Sequence, residues 1–114
     1  MQRDIASLVD ILVAARLIQE FLTGVERGEF CEDALRQAAV VREFEIIGEA
    51  AKRVSDGFRD AHPEIPWKRM AGMRDILIHA YDHVDVDEVW YVAQTSVPEL
   101  IRLIEPLVPA EGEV

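Results

Sequence analysis

The sequence predicts an all-α fold: an antiparallel up-down bundle of four main helices, with a short extra helical turn before the third. Three observations predict it. Apolar residues recur at helical spacing along most of the chain. No run of alternating β-branched residues is long enough to build a sheet. Start and stop signals divide the chain into segments of bundle length.

In the first segment Ile5, Leu8, Leu12, Ala15 and Leu22 form one stripe, interrupted by Gln19, and Ile11, Ala14, Ile18, Phe21 and Val25 form a second beside it. A helix this apolar needs cover on more than one side, and in a small bundle the second stripe suggests a partner chain. Gly24 and Gly28 punctuate its end. The second helix starts near Glu32-Asp33, where acids suit a helix N-terminus, and carries Val40, Phe44, Ile47, Ala51 and Val54 as its core stripe. Ser55-Asp56-Gly57 reads as its stop. Residues 58–72 read as irregular, with a turn at His62-Pro63-Glu64-Ile65-Pro66-Trp67. Pro66 opens a helical turn over Trp67 to Ala71, and Gly72 closes it. The third main helix runs from about Met73 to Asp82. The fourth opens at Asp85 with Glu88 three residues on, a capping box with Asp as the cap. Val89, Ala93, Val97, Leu100, Ile101 and Ile104 carry its stripe, and Pro98 inside the pattern predicts a kink. The bundle domain spans residues 1–108, and residues 109–114 read as a frayed tail.

The 114 residues suit one domain. Half are hydrophobic and 30% are charged, an ordinary globular balance. No apolar run is long enough to cross a membrane, and the acids near the N-terminus argue against a signal peptide. Cys31 is alone, so no intrachain disulfide is expected and a cytoplasmic location fits. The net charge of −10 is the wrong sign for a general nucleic-acid binder. Its distribution is uneven, however. The window 52–74 holds six basic residues (Lys52, Arg53, Arg59, Lys68, Arg69, Arg74) against three acids (Asp56, Asp60, Glu64), so it is +3 and the remainder −13. Either this is scatter on a solvated surface or it is a local phosphate-attracting patch, with Lys68 and Arg69 as candidate phosphate contacts.

The stretch Met73-Arg74-Asp75-Ile76-Leu77-Ile78-His79-Ala80-Tyr81 concentrates the chain's reactive groups. Arg supplies a planar cation for phosphate oxygens, His moves a proton near neutral pH, and Tyr supplies a hydroxyl. On one helix Arg74 and Tyr81 share a face, whereas His79 lies about 140° from Arg74. Arg74 and His79 then meet only if Arg74 sits in an irregular first turn released by Gly72, if its side chain wraps around, or if a second copy of the chain completes the site. The first and third are favoured together, since a helix N-terminus at Met73-Arg74 would add free N–H groups to the cation. Asp75, four residues before His79, can orient the imidazole. The plain alternative is a solvated Arg–His face with no chemistry. A metal at Asp75, His79 and His83 is a further one, although no cysteine or HExxH pattern assists it. Glu49, in an apolar setting, is a candidate partner for Arg74. Trp67 and Trp90 read as core anchors and His62 as a turn residue.

These residues resemble the HepT-like family, toxins of the HEPN superfamily. Ala39-Val40-Val41-Arg42 followed by Ile46-Ile47-Gly48-Glu49-Ala50-Ala51 is similar to the family's second helix. Ile65-Pro66-Trp67 and Ala71-Gly72-Met73-Arg74 resemble the approach to its active helix, and Arg74-x-x-x-x-His79-x-Tyr81 its signature. Val84-Asp85, Val89-Trp90 and Val97-Pro98-Glu99-Leu100 extend the likeness over nearly the whole chain. The resemblance implies a dimeric helical bundle acting as a metal-independent endoribonuclease without cofactors, the toxin of a type VII-like toxin–antitoxin pair. It implies that Arg74 and His79 are catalytic. It further implies an MntA-like minimal nucleotidyltransferase as antitoxin, which silences the toxin by transferring AMP to Tyr81. Relatives carry Asn or Asp after the arginine, and Asp75 here lowers local phosphate attraction. Beside this reading stands a non-catalytic one, an accessory or substrate subunit for the nucleotidyltransferase, which the acidic net charge favours.

Overall fold

The computed structural model describes residues 2–78 and 85–109 and, within that range, the backbone alone of residues 74–78. It is all-α, as the periodicity predicts. The elements are α1 (Gln2–Leu22), α2 (Arg27–Cys31), α3 (Ala34–Arg53), α4 (Asp56–Ala61), α5 (Trp67–Ile78) and α6 (Val86–Ile104), followed by a 3₁₀ turn at Glu105–Leu107. No described helix is long and apolar enough to cross a membrane.

Polar contacts fix the directions of the long helices. The Phe21 carbonyl accepts from Arg36 Nε at 2.6 Å, Asp10 meets Arg53 at 3.5 Å, and Asp4 holds Ser55, so α1 and α3 run antiparallel. Arg16 pairs with Glu105 at 2.6 Å and Arg27 with Asp87 at 2.6 Å, which sets α6 antiparallel to α1. α5 lies along α3.

Sandwiching α1 between α3 and α6 explains its two stripes. Leu8, Leu12, Ala15 and Leu22 are buried, and so are Ile11, Ala14 and Ile18 of the second stripe, while Phe21 and Val25 pack against the core. The second stripe is therefore covered within one chain and, contrary to expectation, does not call for a partner. Val40, Phe44 and Ile47 of α3, Met70 of α5, and Val89, Val97 and Ile104 of α6 complete the core.

Several local expectations hold. Gly24, at φ 73°, takes the left-handed conformation just beyond α1. Asp33 caps α3 through Arg36 N, and Asp85 caps α6 by accepting from Glu88 N at 3.1 Å. Others are corrected. Gly28 lies inside α2 rather than in a loop. Helix α3 ends at Arg53, close to the expected stop, but no loop follows: Ser55 caps a new helix, accepting from Phe58 N at 3.2 Å. Within residues 58–72 the expected turn is confined to residues 62–66, with the rest of α4 before it and the start of α5 after it. Gly72 does not end a turn, because α5 passes through it unbroken. Pro98 lies inside helix α6, where the pattern placed it. Pro98 and Gln94 four residues before it are both exposed, so water can serve the carbonyl that the proline leaves free. Of the expected tail, residues 110–114 lie outside the described residues.

Two carboxylates are buried with opposite consequences. Asp4 accepts from Ser55 N and Ser55 Oγ, both at 2.8 Å, which ties the start of α1 to the cap of α4. The backbone hydrogen bond from Ser55, then the hydroxyl, hold its pKa below the ordinary aspartate value. Glu43 on α3 is only 8% exposed, and burial raises its pKa, opposed weakly by Arg42. Linkage gives the signs. The Asp4 contribution is present above the ordinary aspartate value and is lost as pH falls through the lower folded value. Glu43 costs stability once pH rises through its raised value. We therefore expect Glu43→Gln to raise the thermal midpoint at pH 7, with the gain fading toward the ordinary glutamate value. Asp4→Asn should lower the midpoint at pH 7, with the loss shrinking in acid. Circular-dichroism melts from pH 3 to 8 check both signs.

Candidate functional site on helix α5

Helix α5 carries the reactive stretch, and its first turn sets its rotation. Pro66 precedes the helix with φ restricted by its ring, and Met70 N donates to Pro66 O at 3.0 Å. Trp67 is buried, and its indole N–H donates to His62 O at 2.9 Å. Phe58 packs edge-on against Trp67 at 6.1 Å and lies against His62 at 4.5 Å, so α4 buttresses the start of α5. Trp67 is a core anchor as expected, and Trp90 also serves the core, packing against Phe30 at 5.4 Å.

With that rotation fixed, Met70 and Met73 are buried while Lys68 and Arg69 are exposed. Arg74 is the eighth residue of α5, two turns inside it. The expected irregular first turn at Met73-Arg74, with free N–H groups for an anion, is thereby overturned. Those groups belong to the turn that opens at Trp67, and residue 74 has ordinary helical neighbours on both sides. Asp75 follows it on the same helix. The side chains of Arg74 and Asp75, and residues His79, Tyr81 and His83 entirely, lie outside the described residues. Glu49 is half-buried on α3 and engaged with neighbours.

The structure also sorts the basic window. Arg53 pairs with Asp10, and Arg59 pairs with Asp56 at 3.6 Å and donates to Val54 O at 3.0 Å. Lys52 is engaged as well. The two arginines serve the fold. Lys68 and Arg69 have no hydrogen-bond or ion-pair partner among the described residues, and both project from α5 ahead of Arg74. Arg3 of α1 and Arg42 of α3 are likewise exposed without a hydrogen-bond or ion-pair partner among the described residues, so α5 holds two such neighbouring cations rather than all of them.

Beside this face lies a crevice that the sequence did not announce. It runs between α5 and α6, lined by Pro66, Arg69, Met70 and Met73 on one side and Ser96, Glu99 and Leu100 on the other. Its cavity volume is about 40 Å³, and it is partly open to solvent. Ser96 is an ordinary helical serine in sequence. Only the approach of α5 to α6 gives it this position.

Comparison with known proteins agrees with the sequence resemblance. The family described as "Ribonuclease HepT-like" matches residues 11–107. A protein of Thermococcus cleftensis named "Probable ribonuclease HepT" is 46% identical over 100 residues, covering 88% of this chain and 91% of the relative. A candidate RNase of Methanocaldococcus jannaschii, MJ1380, is 38% identical over 105 residues, covering 91% and 96%. Another from Caldanaerobacter subterraneus, TTE0752, is 36% identical over 104 residues, covering 91% and 93%. No solved structure matches significantly.

The sorting of cations yields a binding prediction. Lys68→Ala and Arg69→Ala should each weaken binding to a nuclease-resistant 2′-O-methyl RNA single strand. Each should also lower the salt slope by about 0.7, the value for one phosphate neutralised on a single strand. Arg53→Ala and Arg59→Ala should leave that slope unchanged. Fluorescence titrations at several salt concentrations measure all four.

Proposed function

Because the chain belongs to the HepT-like ribonuclease family, we propose that it is the toxin of a toxin–antitoxin pair, a metal-independent endoribonuclease in which Arg74 and His79 are catalytic. The observation that carries this reading is Arg74-x-x-x-x-His79-x-Tyr81, lying inside the matched segment. Lys68 and Arg69, without partners among the described residues and one to two turns earlier on the same helix, support it.

The proposed chemistry uses the RNA's own ribose. His79 removes the proton of a 2′-hydroxyl, whose oxygen attacks the adjacent phosphorus. The bond from phosphorus to the 5′-oxygen breaks, and that oxygen takes a proton from an imidazolium, leaving a 2′,3′-cyclic phosphate. Arg74 holds the phosphate and stabilises the charge that develops on it. On helical spacing, the five residues from Arg74 to His79 correspond to about 140° around the axis. The proposal therefore includes a homodimer in which a second copy completes each site. Asp75 orients His79.

Regulation follows in the same proposal. An MntA-like nucleotidyltransferase transfers AMP from ATP to the Tyr81 hydroxyl and releases pyrophosphate. The added nucleotide brings bulk and negative charge beside Arg74, and both oppose RNA. The net charge of −10 favours a second reading, in which the chain is a non-catalytic substrate subunit of that transferase.

The purified protein should cleave RNA in the presence of EDTA, leaving cyclic phosphate ends. His79→Ala should lower the rate by about 10²–10⁴-fold with an unchanged circular-dichroism spectrum. Equal rates in wild type and mutant would overturn the catalytic assignment. Intact-mass measurement after incubation with the transferase and ATP should show AMP increments that vanish in Tyr81→Phe. Increments without any intrinsic cleavage would establish the second reading instead.

A further inference from the structure

We propose that the outer seam between α1 and α3 is a self-association surface, on which a second copy of this chain docks antiparallel with Arg42 of each copy paired to Glu43 of the other. The proposal does not depend on the ribonuclease reading. Its residues belong to α1 and α3, whereas the candidate catalytic stretch begins on α5.

Helix α3 carries a second stripe. Leu35, Ala39, Arg42, Ile46, Glu49 and Arg53 recur at alternating spacings of four and three, the pattern by which one helix packs along another. Arg42 lies about 200° around the helix from Val40, so this stripe faces away from the core. Each of its residues is exposed or half-buried, and Leu35 is 84% exposed. Helix α1 widens the surface. Asp10 reaches Arg53 of the stripe, and Val13 and Leu17, three and seven residues further on, share the flank of α1 that carries Asp10. Neither belongs to the two stripes of α1 that are buried within the chain. Val13 is 50% exposed, so two of the three large apolar side chains exposed among the described residues lie on this seam.

Charge decides what covers it. Arg42 is exposed and Glu43 is buried, yet neither has a hydrogen-bond or ion-pair partner among the described residues. Consecutive residues point about 100° apart on a helix, so the two cannot satisfy each other. A buried carboxylate at the edge of an apolar strip needs a cation from outside, and Arg42 presents one outward. Two copies of α3 running antiparallel about a two-fold axis between residues 42 and 43 set Arg42 of each opposite Glu43 of the other. The same register sets Ala39 opposite Ile46, a small residue against a large one. Association thus turns the desolvation cost of Glu43 into a paired charge that fixes register. The thermal gain expected for Glu43→Gln belongs to the dissociated chain.

Sedimentation equilibrium of the full chain tests the pairing. Arg42→Glu and Glu43→Arg should each weaken self-association by about 30-fold or more, the scale of a desolvated charge pair broken at an interface. Mixing the two variants should restore it, because each chain then offers two charges opposite to those of the other. In a Cys31→Ser background, a chain with Ala39→Cys mixed with one carrying Ile46→Cys should cross-link through a short bis-maleimide more than either chain alone. A wild type that stays monomeric, self-association unchanged by Arg42→Glu, or folded variants that stay apart on mixing would overturn the proposal. Should Glu43→Arg fail to fold by circular dichroism, the cysteine pair decides, and no excess of cross-linking in that mixture overturns it. Where the dimer of the ribonuclease reading also forms, wild type should assemble beyond a dimer and Arg42→Glu should return it to one.

Discussion

The burial of Trp67 fixes the rotation of α5, and the functional surface depends on that rotation. The indole is buried against α4 and its N–H is spent on the His62 carbonyl, so it has little freedom to turn outward. Once Trp67 faces inward, helical geometry carries Met70 and Met73 to the core and turns Lys68 and Arg69 to solvent. The small helix α4 is thus part of the site's foundation, although it contributes no candidate catalytic group. The Asp4–Ser55 contact extends that foundation to α1.

Charge is distributed by function as well as by sign. An acidic chain gains nothing from the bulk field when its ligand is anionic, so attraction has to be local. The described ion pairs achieve this by engaging arginines elsewhere. Arg16, Arg27, Arg36, Arg53, Arg59 and Arg102 are paired with carboxylates that tie elements together or sit on one helix. Most of these pairs are exposed and worth little individually. Their larger effect is on the surface, where the cations left without described partners are Arg3, Arg42, and the adjacent Lys68 and Arg69 on the helix that carries Arg74.

The two buried carboxylates show how environment decides the worth of the same group. Asp4 receives two donors from one serine and acts as a clamp. Glu43 sits among apolar residues of α3 with Arg42 as its electrostatic neighbour, and it carries a desolvation cost. Neither distinction is visible in the residue letters, since both lie in amphipathic helices with comparable neighbours along the chain.

The sequence by itself determined the all-α class, the core stripes of α1, α3 and α6, the caps at Asp33 and Asp85, and the family, because each is written in spacing along a single helix or in a contiguous motif. Gly28, Gly57 and Gly72 misled it. Glycine is a helix breaker by propensity at about 1 kcal/mol, a cost that tertiary packing readily exceeds. α2 and α4 were missed because helices of five and six residues carry too few turns for a period to show. Only the tertiary structure decided that α1 finds both its covers within one chain, that Arg74 lies well inside a helix, which basic residues serve the fold, and that Ser96 joins Arg69 across a crevice. These are relations between segments far apart in sequence, set by which surfaces bury one another, and no local pattern encodes them.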